Sequence, residues 1–341
     1  MTPLIQMNSN FNLNKKVMKN TVNTIIAISL ALYSIISSAQ RTDPKSQDKE
    51  LGAVSWYRDY STALKLSKEH NKPVLILFQE VPGCATCRNY GHNVLSNPLM
   101  TEVIQNEFIP LAIFNNKGGK DKDVLKIYKE PAWNNPVVRI VDYDGVDIVD
   151  RVGNDYSAQG LYRAMENALK VSKIEIPQYM MILAKELYGN INSRNKETYY
   201  SMYCFWSGEK LLGTQPGILN TEAGFMNGYE VVKVTYDSTA LNINDLNSYA
   251  NSQEMRPIKK DQSYRISSKD EDYYLKHSNY QYLPLSPLQR TLINSALGNR
   301  NDAQQYLSPQ QMKWYAQSGK TDKILYLSPF GQAWKERMYS S

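Results

Sequence analysis

The spacing of apolar residues changes several times along the chain, and each change marks an element. Ile25 to Ile36 is uncharged and follows Lys15, Lys16 and Lys19; Ser37, Ser38 and Ala39 come next. The run is short of the about 20 residues a membrane span needs. A basic segment, a short apolar run and small residues predict a secretory signal peptide over 1–39. An uncleaved anchor is the alternative. RTDPKSQDKE, 41–50, is polar and predicts a tether over 40–51. Trp56, Tyr60, Ala63, Leu64 and Leu66 then recur near helical spacing, with Asp59 and Ser61 as start signals. PVLILF, 73–78, is a continuous apolar run of the kind found in strands buried on both faces.

Helical spacing returns in 97–108, and FIPLAIF, 108–114, predicts a second buried strand. GGKDKD, 118–123, reads as a polar loop and VLKIY as a short helical piece. PVVRIVD and VDIVDRV flank Tyr143-Asp144-Gly145 and predict a hairpin. SAQGLYRAMENALKVS, 157–172, is an amphipathic helix. This alternation predicts an α/β unit over 52–173, with a helix-covered sheet, parallel pairs early and a hairpin late. Residues 174–197 read as a linker with its own short helix. A second, α+β unit follows over 198–268. There TYYSMYCFW and YEVVKVTYD read as strands, SGEKLLG as a helix capped by Ser207, and STALNINDLNSYA as a turn and helix. Residues 269–341 are Tyr-rich and helical in patches, a helical C-terminal tail.

Composition narrows the function. The net charge is +6, and removing 1–39 takes away three lysines and no acid, leaving +3. That is too weak a charge for a nucleic-acid binder of this size. Export would place the chain in the periplasm or cell envelope, with no stable membrane span after signal cleavage, in an oxidising compartment. Three cysteines cannot all pair within one chain, so at least one is free or exchanges partners. His70, His92 and His277 show no ligand spacing.

Cys84 and Cys87 stand in VPGCATC, just after a buried strand and at the expected start of a helix. Free N–H groups and the helix dipole favour a thiolate there. Cys87, one turn on, is placed to attack a mixed disulfide formed at Cys84. Thiol–disulfide exchange fits best. Zinc usually takes four ligands, and only Cys204 and scattered histidines remain. Haem attachment wants histidine where Arg88 stands. A structural disulfide here would close a tiny loop. With Asn135-Pro136 opening the later strand, the segment 52–172 resembles the thioredoxin superfamily. The resemblance implies a thioredoxin-like fold, a cis peptide before Pro136, packing of Pro136 against the Cys84–Cys87 pair, and an edge there for an extended substrate peptide. Gly83 stands where the family's usual tryptophan does, and Ala85-Thr86 fill the motif, which leaves redox potential and partner choice open.

By residue type, Cys204 in YCFWSGE is a small buried residue among core aromatics. In order, CFWSGE, QPGILNTEAGFMNG, YEVVKVTYD and LNSYA resemble the A-type peptide methionine sulfoxide reductases over 200–266. The resemblance implies Cys204 as nucleophile, and Phe205 and Trp206 as a cradle for the methyl and sulfur of the sulfoxide. It makes Glu230 the acid, kept protonated by apolar neighbours, and gives Tyr264 a hydrogen bond to the oxygen. Cys204 would end as a sulfenic acid that a thiol must clear. Phe225 replaces the tyrosine of the family's Gly-Tyr pair, and the segment before Glu230 is shortened. Glu230 also reads as an ordinary strand carboxylate and Glu209 as structural.

The leading expectation is an exported thiol–disulfide reductase coupled to reduction of peptide methionine S-sulfoxide, with Cys204 recycled by Cys84 and Cys87. Its substrates would be oxidised envelope proteins and its electron donor a membrane or periplasmic dithiol, with no cofactor, metal or nucleic acid. The alternatives are a disulfide oxidoreductase with a catalytically inactive, partner-binding second domain, and an envelope binding protein.

Overall fold

The computed structural model describes residues 41–133, 136–189, 194–319 and 322–339. The signal-peptide expectation over 1–39 therefore lies outside the described residues. Among the described residues no helix is long and apolar enough to cross a membrane.

The first half builds on a three-stranded sheet. In chain order it holds α1 (Tyr60–His70), β1 (Val74–Gln79), α2 (Ala85–Asn93), α3 (Pro98–Glu107), β2 (Ile109–Phe114), α4 (Lys120–Tyr128), β3 (Val137–Val141) and α5 (Ala158–Val171). The strand order is β2-β1-β3, with β2 parallel and β3 antiparallel to β1. The apolar run of β1 is explained by its two packed faces. Leu75 and Leu77 join one core with α3 and α5; Val74, Ile76 and Phe78 join another with α1 and α4. Asp59 caps α1 by accepting the Thr62 N–H, and Ser157 caps α5 through Gly160.

Several boundaries differ from the sequence reading. Residues 120–123 begin α4 rather than continuing a loop, because Gly119, at φ +63°, turns the chain into the helix there. The hairpin forms, but its second arm is irregular: Val138 and Val152 exchange backbone hydrogen bonds, and Ile148 N–H reaches the Ile140 carbonyl. The stretch expected as a tether is folded onto the domain. Arg41 bridges Tyr57, and Glu50 and Leu51 are buried.

The region expected as a linker carries α6 (Gln178–Gly189), whose Tyr179, Met180, Ile182 and Leu183 are buried in the first core beside α3 and α5. An amphipathic helix with that many large apolar residues is stable only against a packed surface.

The second half is a five-stranded antiparallel sheet. Its elements are β4 (Asn195–Met202), α7 (Phe205–Leu212), β5 (Ile218–Met226), β6 (Tyr229–Asp237), α8 (Ile243–Ser252), β7 (Arg256–Ile258) and β8 (Arg265–Ile266), in the order β7-β4-β6-β5-β8. Alternation along β6 puts Val232, Val234 and Tyr236 on the face covered by α7 and α8. Val231 sits on the other face with Tyr199, Met226 and Tyr264.

The described residues from 269 on are helical, as expected, and pack into a layer of their own. α9 (Tyr273–Lys276), α10 (Pro287–Gly298), α11 (Pro309–Gln317) and α12 (Phe330–Tyr339) form their own core around Leu283, Ile293, Trp314 and Trp334. α10 also packs on α7 and β5, while its Leu288 is buried in the first core. The fold is thus mixed α/β and α+β, with a helical layer packed on the second sheet and on the helices of the first half.

Candidate active sites

β1 delivers the chain to the first site. Gln79, buried at the end of β1, donates to the carbonyls of Glu50 and Cys87. Glu50 in turn accepts the Gly83 N–H through its side chain at 2.8 Å, and Arg88 reaches the Gly83 carbonyl. These bonds fix the loop 80–83 so that Cys84 becomes the N-cap of α2. Gly83 is required there: a Cβ would fall 2.3 Å from the Glu80 carbonyl and 2.8 Å from the Cys87 Cβ.

Cys84 is exposed and Cys87 is buried, and their sulfurs lie 3.6 Å apart in the reduced state. The Cys84 thiol is held below its ordinary value. The main-chain N–H of Cys87 is the largest cause; burial opposes it, and the Cys87 side chain and Thr86 add to the lowering. Burial and the neighbouring Cys84 sulfur push Cys87 up to about 12. One thiol is therefore poised as an attacking anion and the other as a proton-holding second sulfur. Glu80 was missed in the sequence; its carboxylate and both sulfurs lie within 4.8 Å of one another.

Pro136 is buried, and the register Phe78–Val137 places it beside the end of β1. The peptide bond before it involves Asn135, outside the described residues, so the expected cis geometry falls there too. The edge imagined for a substrate peptide is largely taken, since β3 hydrogen-bonds 146–152 along its outer side. Glu130, buried, holds this region by accepting from Arg139 and Arg151.

The second site lies where β4 runs into α7. Cys204, partly exposed, is the N-cap of α7, so the helix starts two residues before the Ser207 expected as its cap. Glu230 pairs with Met202 and Phe225 across the sheet, and its Oε2 accepts the Phe205 N–H at 2.8 Å. Cys204 and Glu230 thus share one helix N-terminus. Glu230 is partly exposed.

Phe205 is only 4% exposed and packs edge-on to Phe225 and Trp206. It supports the site from the core instead of offering a free face. Trp206 is partly exposed, but Tyr273 stacks on it with centroids 4.0 Å apart. Tyr264 is not brought to the site. Its hydroxyl donates to Glu222 at 2.6 Å, and its ring sits with Tyr199 and Val231, on the face of the sheet opposite Val232.

Tyr273 and Tyr274, on α9, are neighbours that sequence reasoning missed. Burial first, then the charges of Cys204, Tyr273 and Glu209, raises the Tyr274 hydroxyl. Beneath α7, Glu209 is fully buried and held well above the usual carboxylate range by burial and by Asp272. Asp272 and Glu271 share Arg290. No local pattern marks these tyrosines, because only the packing of α9 against α7 brings them in.

Comparison with known proteins agrees with both halves. A family model described as thioredoxin-like matches residues 55–142. The peptide methionine sulfoxide reductase MsrA of Salinispora arenicola is 32% identical over 82 residues, covering 19% of this chain and 37% of that one. The protein of the same name from Methanococcus maripaludis is 37% identical over 70 residues, covering 15% and 45%. The chain spans less than half the length of these curated relatives. A solved structure titled DsbH Oxidoreductase superposes with a TM-score of 0.30 at 17% identity, covering 38% of this chain and 92% of that one. The chain therefore resembles a fusion of a thioredoxin-like domain with a domain like that of the peptide methionine sulfoxide reductases.

Proposed function

We propose that this protein is an exported thiol oxidoreductase that reduces methionine sulfoxide in envelope proteins and recycles itself through its own dithiol. The observation that carries the redox reading is the asymmetry of the first pair: an exposed, readily ionised Cys84 with a buried, proton-holding Cys87 sulfur 3.6 Å away. In the second site, the Cys204 sulfur attacks the sulfoxide sulfur. The oxygen ends on Cys204 as a sulfenic acid, and the thioether leaves reduced. Glu230, on the same helix N-terminus, is the candidate to handle the proton. Cys84 then condenses with the sulfenic acid, releasing water. Cys87 attacks Cys84, freeing Cys204 and closing the 84–87 disulfide. An external dithiol reopens that disulfide. Domain limits of 52–173 and 198–268 belong to this reading, with α6 and residues 269–339 packed around them.

The second reading, a disulfide oxidoreductase with an inactive partner-binding second half, is favoured by one observation. Phe225 carries no hydroxyl, and that of Tyr264 is bonded to Glu222 on the other face. Turnover of a methionine sulfoxide peptide by wild type, Cys204→Ser and Cys84→Ser separates the two. Loss in both variants supports the coupled mechanism. Disulfide reduction that survives Cys204→Ser, with no sulfoxide turnover in wild type, supports the second reading.

A further inference from the structure

The reduced dithiol has a third neighbour that exchange chemistry does not use. Glu80 follows β1 directly, and one of its carboxylate oxygens lies within 4.8 Å of both the Cys84 and Cys87 sulfurs. Its main-chain N–H points at the Cys87 sulfur, which ties the residue to that side of the pair. The side-chain-less Gly83 leaves the space between them clear, since a Cβ there would sit 3.2 Å from the Cys87 sulfur.

The spacing of the sulfurs points to a ligand. Two zinc–sulfur bonds of about 2.3 Å at a tetrahedral angle place the sulfurs about 3.8 Å apart. The observed separation is 3.6 Å, far from the about 2.05 Å of a disulfide. A zinc-bound carboxylate oxygen lies about 3.5 Å from such sulfurs, so Glu80 has to close in by about 1 Å, which a rotation of its side chain supplies. Two thiolates and one carboxylate are a soft, borderline donor set that suits zinc and excludes magnesium or calcium, which take oxygen shells. The surroundings favour the excess negative charge. Cys84 caps the N-terminus of α2, and the Arg88 guanidinium sits on the Gly83 carbonyl.

We propose that Glu80, Cys84 and Cys87 form a three-ligand zinc site that exists only when the pair is reduced, with the fourth position open on the exposed Cys84 side. Binding replaces the thiol protons: one zinc ion enters and the two thiols lose up to two protons, with no change of oxidation state. Both sulfurs are then held by the metal and neither can attack a disulfide. Oxidation to the 84–87 disulfide takes away both sulfur ligands and expels the ion. The site requires only the reduced thiols and stands whether or not the protein reduces methionine sulfoxide.

The test is an anaerobic titration of the full chain with zinc and, for spectroscopy, with cobalt. Reduced wild type binds one metal per chain, with a sulfur-to-cobalt charge-transfer band and the intense visible bands of a tetrahedral site. Losing even an outer partner of a metal ligand weakens binding 10- to 100-fold, so Glu80→Ala weakens zinc by at least about tenfold. A far-ultraviolet dichroism melt confirms that the variant is folded. The disulfide form of wild type gives no charge-transfer band. The proposal is overturned if Glu80→Ala binds zinc as tightly as wild type, which leaves a bare dithiol. It is equally overturned if the reduced wild type shows no sulfur-to-cobalt band, or if the oxidised protein binds equally well.

Discussion

Each of the three thiols sits in different surroundings, and their reactivities should differ accordingly. Cys84 is exposed at a helix N-terminus, Cys87 is buried with its proton held to about 12, and Cys204 is half-covered. Alkylation of the reduced native protein should label Cys84 first. Its rate should already be high below the about 8.5 at which an ordinary thiol ionises. Cys87 should stay unlabelled until denaturant is added. Equal labelling rates for both, measured by mass spectrometry at pH 7, would remove the asymmetry on which exchange depends.

Glu209 offers a second check at this scale. Its folded-state proton is held above the ordinary 4.5 by burial and Asp272, while Glu271 and Arg290 complete its surroundings. A raised acid gives stability that is complete below the unfolded pKa and lost as pH rises through the folded one. Glu209→Gln should therefore lose less stability than wild type between pH 5 and pH 8, read from urea midpoints. An unchanged pH slope would mean the carboxyl is already ionised when folded.

At the scale of elements, the two capping boxes of the C-terminal layer form one network. Ser286 and Gln289 cap α10, and Ser308 and Gln311 cap α11. The two glutamines also bond each other at 2.7 and 2.9 Å, and they reach the Tyr306 and Pro284 carbonyls. All four side chains are buried, so the network is satisfied only as a whole. Gln311→Ala should cost about 1–3 kcal/mol for the groups it leaves unpaired, measured by chemical denaturation. A loss below about 0.5 kcal/mol would show that water repairs the gap.

Most element types were legible in the sequence. β1 and β2 announced themselves as apolar runs, α5 and β6 by their period, and α1 by its Asp59 cap. The start of α4 was not legible, because Lys120-Asp121-Lys122-Asp123 is polar and the turn at Gly119 that opens the helix leaves no apolar period. The full length of β5 was equally hidden, since NTEAGF alternates weakly and is fixed by pairing with β6.

Across the whole molecule, the C-terminal layer joins the two halves. Leu288 enters the first core from a helix that also packs on α7 and β5. Leu288→Ala should cost about 2–5 kcal/mol, as for other buried leucines, and should lower the melting of both halves together. If calorimetry shows one half unaffected, the layer does not couple them.

The sequence by itself determined the chemistry-bearing residues at local junctions: Cys84 and Cys87 where a buried strand meets a helix, and Cys204 and Trp206 where β4 meets α7. Such placement depends on neighbours in the chain, which periodicity and capping reveal. Only the tertiary structure decided that Tyr264 faces away, that Tyr273 stacks on Trp206, and that Glu209 is buried over Asp272. Those contacts join residues more than 40 positions apart, and they arise from which sheet face and which helix meet. No pattern of local spacing records that meeting.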